Sequence, residues 1–220
     1  MKAQVARCRA AGAQRGDGAP RGGGGTIQGW LIVAGVVLYL FFVRVVTVGH
    51  NAMAPTVMLG DQILVWRTDR FELGQMALCA HPSEANRYVL GRVIGRPGDL
   101  VAVERGQLVI NGQTPDTDHR APLRWNDVET GRVRTMHWGI ENILSRSHYF
   151  FREDRRSFEL RPHRVRGGLY LLSDHRTYAG EDSRTFGEVP SASCIGRAFF
   201  RLTAAESPEE IGNSMLDILD

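Results

Sequence analysis

Apolar residues fall into three patterns along the chain. From Ile27 to Val48 they are nearly continuous for 22 residues, with Arg44 as the single charge. A helix of that length spans about 33 Å at roughly 1.5 Å per residue, enough to cross a hydrocarbon layer. Arg44, four residues from the far end, can snorkel to the interface. The stretch is longer than the apolar core of a signal peptide, and Gly49-His50-Asn51-Ala52 makes a poor cleavage site, so one transmembrane helix over 27–48 is predicted.

After Gln62 the apolar runs shorten and are punctuated by turn residues. Ile63–Trp66, Met76–Cys79, Tyr88–Leu90, Val93–Ile94, Leu100–Val103 and Leu108–Ile110 have the length and composition of strands. Their breaks are Gly74, His81-Pro82, Gly95 to Asp99, and Asn111-Gly112, the last a strong hairpin signal. Core-like composition returns at Gly168–Leu172 and in the final strand Cys194–Phe200. The prediction is a mainly β fold, with a core domain built from 49–112 and 167–205.

In the third pattern apolar positions are scattered. Residues 1–26 hold Arg, Gly, Ala and Gln with almost no large apolar side chain, which predicts a disordered basic tail. Residues 113–166 are rich in Arg, Asp and His around isolated Trp125, Met136, Trp138 and Ile140, and read as a polar inserted subdomain, partly ordered, with strand-like Tyr149–Phe151 and Phe158–Leu160. At 206–220, Ser207-Pro208-Glu209-Glu210 followed by Ile211, Met215, Ile218 and Leu219 on one face predicts a short acidic helix.

Charge changes this picture in one respect. The formal net charge is +3, but residues 1–26 carry +4 and Arg44 one more, leaving the part after residue 48 at −2. That distribution gives no DNA-binding surface and orients the anchor with its N-terminus in the cytoplasm and the main domain outside it. Of the three cysteines only Cys79 and Cys194 lie on one side of the anchor. They allow one intradomain disulfide, although two small buried apolar residues are the preferred reading. The seven histidines show no HxH or HExxH pattern and read mostly as solvated or hydrogen-bonded loop residues; no metal and no cofactor are expected.

Three boxes, in order, resemble those of type I signal peptidases. The first is His50-Asn51-Ala52-Met53-Ala54-Pro55-Thr56 with Gly60-Asp61, against Ser-Met-x-Pro-Thr followed by Gly-Asp. The second is Tyr88-Val89-Leu90-Gly91-Arg92-Val93-Ile94-Gly95-Arg96-Pro97-Gly98-Asp99, against Tyr-Ile-Lys-Arg-x-x-Gly-x-Pro-Gly-Asp. The third is Ser173-Asp174-His175-Arg176 with Glu181-Asp182-Ser183-Arg184, one residue longer than the Gly-Asp-Asn-Arg and Asp-Ser-Arg pattern. Asn111-Gly112 and Gly196-Arg197-Ala198 extend the likeness.

The resemblance implies a signal-peptidase-like β core in a bacterial cytoplasmic membrane, with a signal-peptide-like or exported segment as partner. It also implies that the reacting groups are missing. Ala52 stands where the nucleophilic Ser belongs and Gly91, or Leu90 under a shifted match, where the general-base Lys belongs; His50 replaces an assisting Ser, and Ala179 falls near the Ser that orients the Lys. The chain's only lysine is Lys2, across the predicted membrane from the site, so no Ser/Lys dyad can form within one chain. By resemblance Met53, Val57, Val89 and Leu90 would line a substrate groove, and Asp174, Arg176, Asp182 and Arg184 would tie the third box to the first.

The expectation is therefore a proteolytically inactive homologue that binds an extended segment by strand addition, by analogy with assembly factors for surface structures. The alternative is an active signal peptidase served by non-standard groups or by a partner chain.

Overall fold

The computed structural model describes residues 24–104, 106–153, 159–178, 180–203, 211 and 217–219. Residues 1–23 of the expected disordered tail lie outside them, and its last three, 24–26, are helical. The chain divides into residues 1–38, helical from Gly24, and residues 39–220.

Helix α1 runs Gly24–Phe42, and the apolar stretch then changes form at Val43–Thr47, which is strand β1. The predicted helix over 27–48 is thus corrected: Val43, Val45, Val46 and Thr47 are β-branched, and their backbone groups pair antiparallel with Gln62–Trp66 (β2). Among the described residues no helix is long and apolar enough to cross a membrane.

Beyond β2 the strands are β3 (Met76–Ala80), β4 (Tyr88–Gly95), β5 (Leu100–Glu104), β6 (Gln107–Ile110), β7 (Asp116–His119), β8 (Leu123–Asp127), β9 (Arg132–Ile143), β10 (Arg146–Glu153), β11 (Leu160–Arg164), β12 (Tyr170–Leu172), β13 (Cys194–Thr203) and β14 (Asp217–Ile218). The short helix α2 is Ser183–Phe186. One sheet is ordered β1-β2-β13-β3-β4-β12, with β14 also on β13; a second holds β10-β9-β7 with β8 on β9; a third is β11-β5-β6.

Four details differ from the sequence reading. Tyr88–Leu90 and Val93–Ile94 are one strand, because Gly91 and Arg92 continue the β3 pairing without interruption. Most of the described part of the inserted region is a sheet built on the 12-residue β9, and residues 154–158 lie outside the described residues. Its last strand, β11, pairs with β5 of the core, so the insertion proper ends before Leu160. At the C-terminus, Asp217–Ile218 pair with Phe200 and Arg201 as a strand where helix was predicted; residues 204–210 and 212–216 lie outside the described residues.

Three apolar clusters hold these sheets together. Val89, Val93, Val101, Leu108, Leu171 and Leu172 belong to the first, and Met53, Val57, Ile63, Val65, Met76 and Leu90 to the second. Ala54, Met58, Leu123, Trp125, Met136 and Phe151 form the third, which packs the insertion against the first sequence box. Cys79 and Cys194 are joined by a disulfide, against the preferred reading. They are directly opposed residues of β3 and β13, a relation between strands 115 positions apart that neither local sequence displays. Next to them, Gly196 is obligatory: a Cβ there would stand 2.0 Å from the Trp66 carbonyl oxygen.

Candidate functional site

The first box is a loop that satisfies itself. A 3-10 turn at Asn51–Met53 is capped by His50, whose Nδ1 accepts from Ala52 N at 3.2 Å. Asn51 Oδ1 accepts from Leu59 N at 2.9 Å and Asp61 Oδ2 from Met58 N at 2.8 Å, so these two buried side chains take up amides that the irregular backbone leaves open. The Ala54–Pro55 bond is cis.

Ala52 has no exposed surface, and its carbonyl accepts from His175 N at 2.9 Å. Both backbone groups at this position are therefore engaged from within the chain. Beside it lies one hydroxyl–imidazole contact, Thr177 Oγ1 to His175 Nδ1 at 3.4 Å, with both residues buried. Burial pushes His175 down to about 4, so the ring is neutral at physiological pH.

The third box is locked to the other two by charge. Arg92, 1% exposed, donates from Nε and Nη2 to the two oxygens of Asp174 at 2.7 and 2.6 Å, and from Nη1 to Gly74 O at 2.6 Å. Thr56 of the first box donates to Asp174 Oδ2 at 2.6 Å. Burial alone would raise the Asp174 carboxyl, and the Arg92 guanidinium holds it below the usual range instead.

Arg176 turns the other way, into the insertion, where Nη2 meets Glu141 Oε2 at 2.6 Å. His148 Nε2 lies 3.2 Å from that same oxygen. Burial and the charge of Arg92 push His148 down, while Glu141, which burial would raise, is brought to about 2 by Arg176 and His148. His148 Nε2 also lies 3.3 Å from Arg176 Nη2, so Arg176, Glu141 and His148 form one buried polar group. Asp182 caps α2 and accepts from Ser173 N at 3.1 Å, and Arg184 pairs with Asp182 while donating to the Arg176 carbonyl at 2.6 Å. The four residues expected to brace the third box thus divide their work: Asp174 reaches the first box, Arg176 the insertion, and Asp182 and Arg184 their own loop.

Glycine at 91 is a packing requirement. A Cβ there would stand 2.9 Å from Leu171 Cβ, too close for either atom to stay in place. Of the four expected groove residues, Met53, Val57 and Leu90 share one buried cluster, whereas Val89 belongs to another. Ala179 lies outside the described residues. Among the described residues no group of His, Cys, Asp and Glu is arranged to hold a metal.

The chain matches the family model described as signal peptidase, peptidase S26, over residues 26–203. It belongs to the signal peptidase family. It is 26% identical over 185 residues to signal peptidase IB of Staphylococcus aureus strain Mu50, covering 78% of this chain and 87% of that protein. It is also 28% identical over 178 residues to signal peptidase I of Streptococcus pneumoniae serotype 4, covering 74% and 83%.

Sequence reading passed over several residues that build this signal peptidase-family site. Glu141 and His148 are paired across the β9–β10 hairpin, and their alternation within apolar neighbours was the available signal. His148 is buried within β10, against the expectation of solvated or hydrogen-bonded loop histidines, whereas His175, also buried, is a hydrogen-bonded residue of the loop after β12. Glu129, at the turn between β8 and β9, accepts from Asn51 N at 2.8 Å and from Tyr178 OH at 2.7 Å, and no local pattern marks it.

Proposed function

We propose that this chain is a signal peptidase family protein that recognises an extended, signal-peptide-like segment without cleaving it. The reading is carried by Ala52: it has no hydroxyl, is fully buried, and has its N–H and C=O committed to His50 and His175. Covalent acyl transfer needs a nucleophile and a base within hydrogen-bond reach, and the chain's only lysine is Lys2. Thr177 and His175 are the nearest substitute pair, but both are buried and the ring is a weak base with its proton affinity lowered to about 4.

Recognition by strand addition needs backbone groups and pockets for small side chains, neither of which depends on Ser or Lys. Met53, Val57 and Leu90 belong to one buried apolar cluster that backs the first box and β4. Membrane attachment is supported by α1, whose Ile27, Trp30, Leu31, Ile32, Leu40 and Phe41 are all more than half exposed. A helix apolar all round is stable only when something apolar covers it, and the basic residues of 1–26 favour a cytoplasmic N-terminus with the β domain at the outer face. An exported or surface-assembly protein bearing such a segment is the fitting partner.

The test incubates purified full-length protein in lipid with a signal-peptide-bearing preprotein, beside an intact family member, and measures both cleavage and binding. Binding without cleavage is expected. Cleavage that disappears in Thr177→Ala or His175→Gln would overturn the proposal and identify the substitute catalytic groups.

A further inference from the structure

The end of the β8–β9 hairpin lies over the first box and is fastened to it by polar contacts. Glu129 accepts from Asn51 N at 2.8 Å with one carboxylate oxygen and from Tyr178 OH at 2.7 Å with the other. Asn51 Nδ2 donates to Asp127 Oδ1 at 2.9 Å. The Tyr178 ring in turn stacks on His50, 5.9 Å between centroids, and that His50 ring caps Ala52 N. His50 Nε2 lies 3.5 Å from Glu181 Oε2, and the other oxygen of Glu181 is held by Arg87. Two separate segments, 127–129 and 178–181, therefore close over residues 50–52, with Arg87 of a third holding Glu181.

The hairpin is anchored at its base by apolar burial and at its end by polar contacts. Leu123, Trp125 and Met136 are buried in the third cluster. At the end Val128 is 63% and Val133 56% exposed, so the tip buries no apolar surface against the box. It is nonetheless preformed, since Asp127 accepts from Glu129 N at 3.2 Å and Thr130 Oγ1 at 2.6 Å, and Gly131 N donates to the Asp127 carbonyl at 2.7 Å. Such a unit can leave as a rigid piece, giving up hydrogen bonds and no hydrophobic burial.

We propose that the hairpin end, residues 127–132, is an intramolecular latch on the first box, with Glu129 holding the backbone donor that an arriving extended segment must claim. The latch has a fixed hinge at Trp125 and Met136 and releases when Glu129 gives up Asn51 N and Tyr178 and Asp127 gives up Asn51 Nδ2. The latch stands on its own contacts; only the claim that it competes with a bound segment rests on the recognition function above.

Three measurements on the full-length protein in lipid test this. In the unmodified protein, hydrogen exchange at Asn51 and Ala52 is expected at least 100-fold faster than at Leu78 and Leu90 of the central sheet, whose release needs global unfolding. Equal protection would overturn the latch without any variant. In a Cys8→Ser, Ala52→Cys background, with Cys79 and Cys194 left in their disulfide, the rate of labelling by a small thiol reagent is expected to rise about tenfold on Glu129→Ala, with less effect from Tyr178→Phe, which removes one contact only. An unchanged rate in both variants would overturn it. Finally, a signal-peptide-like peptide should bind the Glu129→Ala protein more tightly than the parent. Faster labelling without tighter binding would leave the latch in place and overturn the competition.

Discussion

Arg92 and Asp174 form a two-pronged ion pair, at 2.7 and 2.6 Å, with both side chains shut away from solvent. Arg92 lies in the middle of β4 and Asp174 just past the end of β12, neighbouring strands of one sheet, and Thr56 from the first box adds a third contact. Removing one member leaves the other charged and buried, which costs about 3–5 kcal/mol. Arg92→Leu and Asp174→Ala are each expected to lower the unfolding free energy from urea titration by that amount. The pair replaced together by Leu and Val is expected to lose less than either single change, and a double-mutant cycle reads the difference.

Acid stability follows from three histidines kept neutral by the fold. His50, His148 and His175 all have lowered proton affinities, chiefly through burial, with His175 at about 4. Above pH 6.5 the rings are neutral folded and unfolded, and they contribute nothing to the pH dependence. Below it the unfolded chain takes up protons that the folded chain refuses, so stability falls as pH drops from about 6.5 towards 4, by about 3 kcal/mol for His175 alone. Glu141, at about 2, adds a second loss between about pH 4.5 and 2. Urea titrations at pH 8 and pH 5 check this, and His175→Gln is expected to flatten the first slope; equal midpoints at both pH values would contradict it.

The disulfide between Cys79 and Cys194 closes a loop of 115 residues across adjacent strands. By loop entropy such a link stabilises by about 5 kcal/mol in the ideal case, and by about 2–4 in practice. Thermal unfolding with and without reductant is expected to show that difference, and Cys79→Ser with Cys194→Ser should reproduce it. An identical melting temperature under both conditions would show that the bond does not constrain the unfolded chain.

Much of the β fold was legible because strand patterning is local: β2, β3, β5, β6 and β13 sit within a few residues of their apolar runs. What escaped depends on partners distant in sequence. Val43–Thr47 is apolar enough for either helix or strand, and only the row of β2 backbone groups decides between them. Asp217–Ile218 carries helical signals overridden by β13. In the site, Ala52 and Gly91 were visible as departures from a motif, since a motif is a local string. The Glu141–Arg176–His148 group and the Glu129 contact were not, because they join the insertion to boxes 28 to 78 positions away.

Restoring the motif residues tests how far the scaffold has changed around them. Ala52→Ser adds one hydroxyl at a buried turn whose N–H already bonds His50. Gly91→Lys is harder: its Cβ would press on Leu171 Cβ at 2.9 Å, a contact that rotamer changes cannot relieve because that atom is fixed to its own backbone. Gly91→Ala alone is therefore expected to destabilise by about 1–3 kcal/mol. Ala52→Ser with Gly91→Lys should be silent in preprotein cleavage and less stable than Gly91→Ala, because Leu171 is a fully buried core residue that cannot be trimmed to clear the clash without leaving a cavity. Gain of cleavage by the pair alone would show that β4 and β12 separate easily and that residue identity, not packing, is the barrier to catalysis.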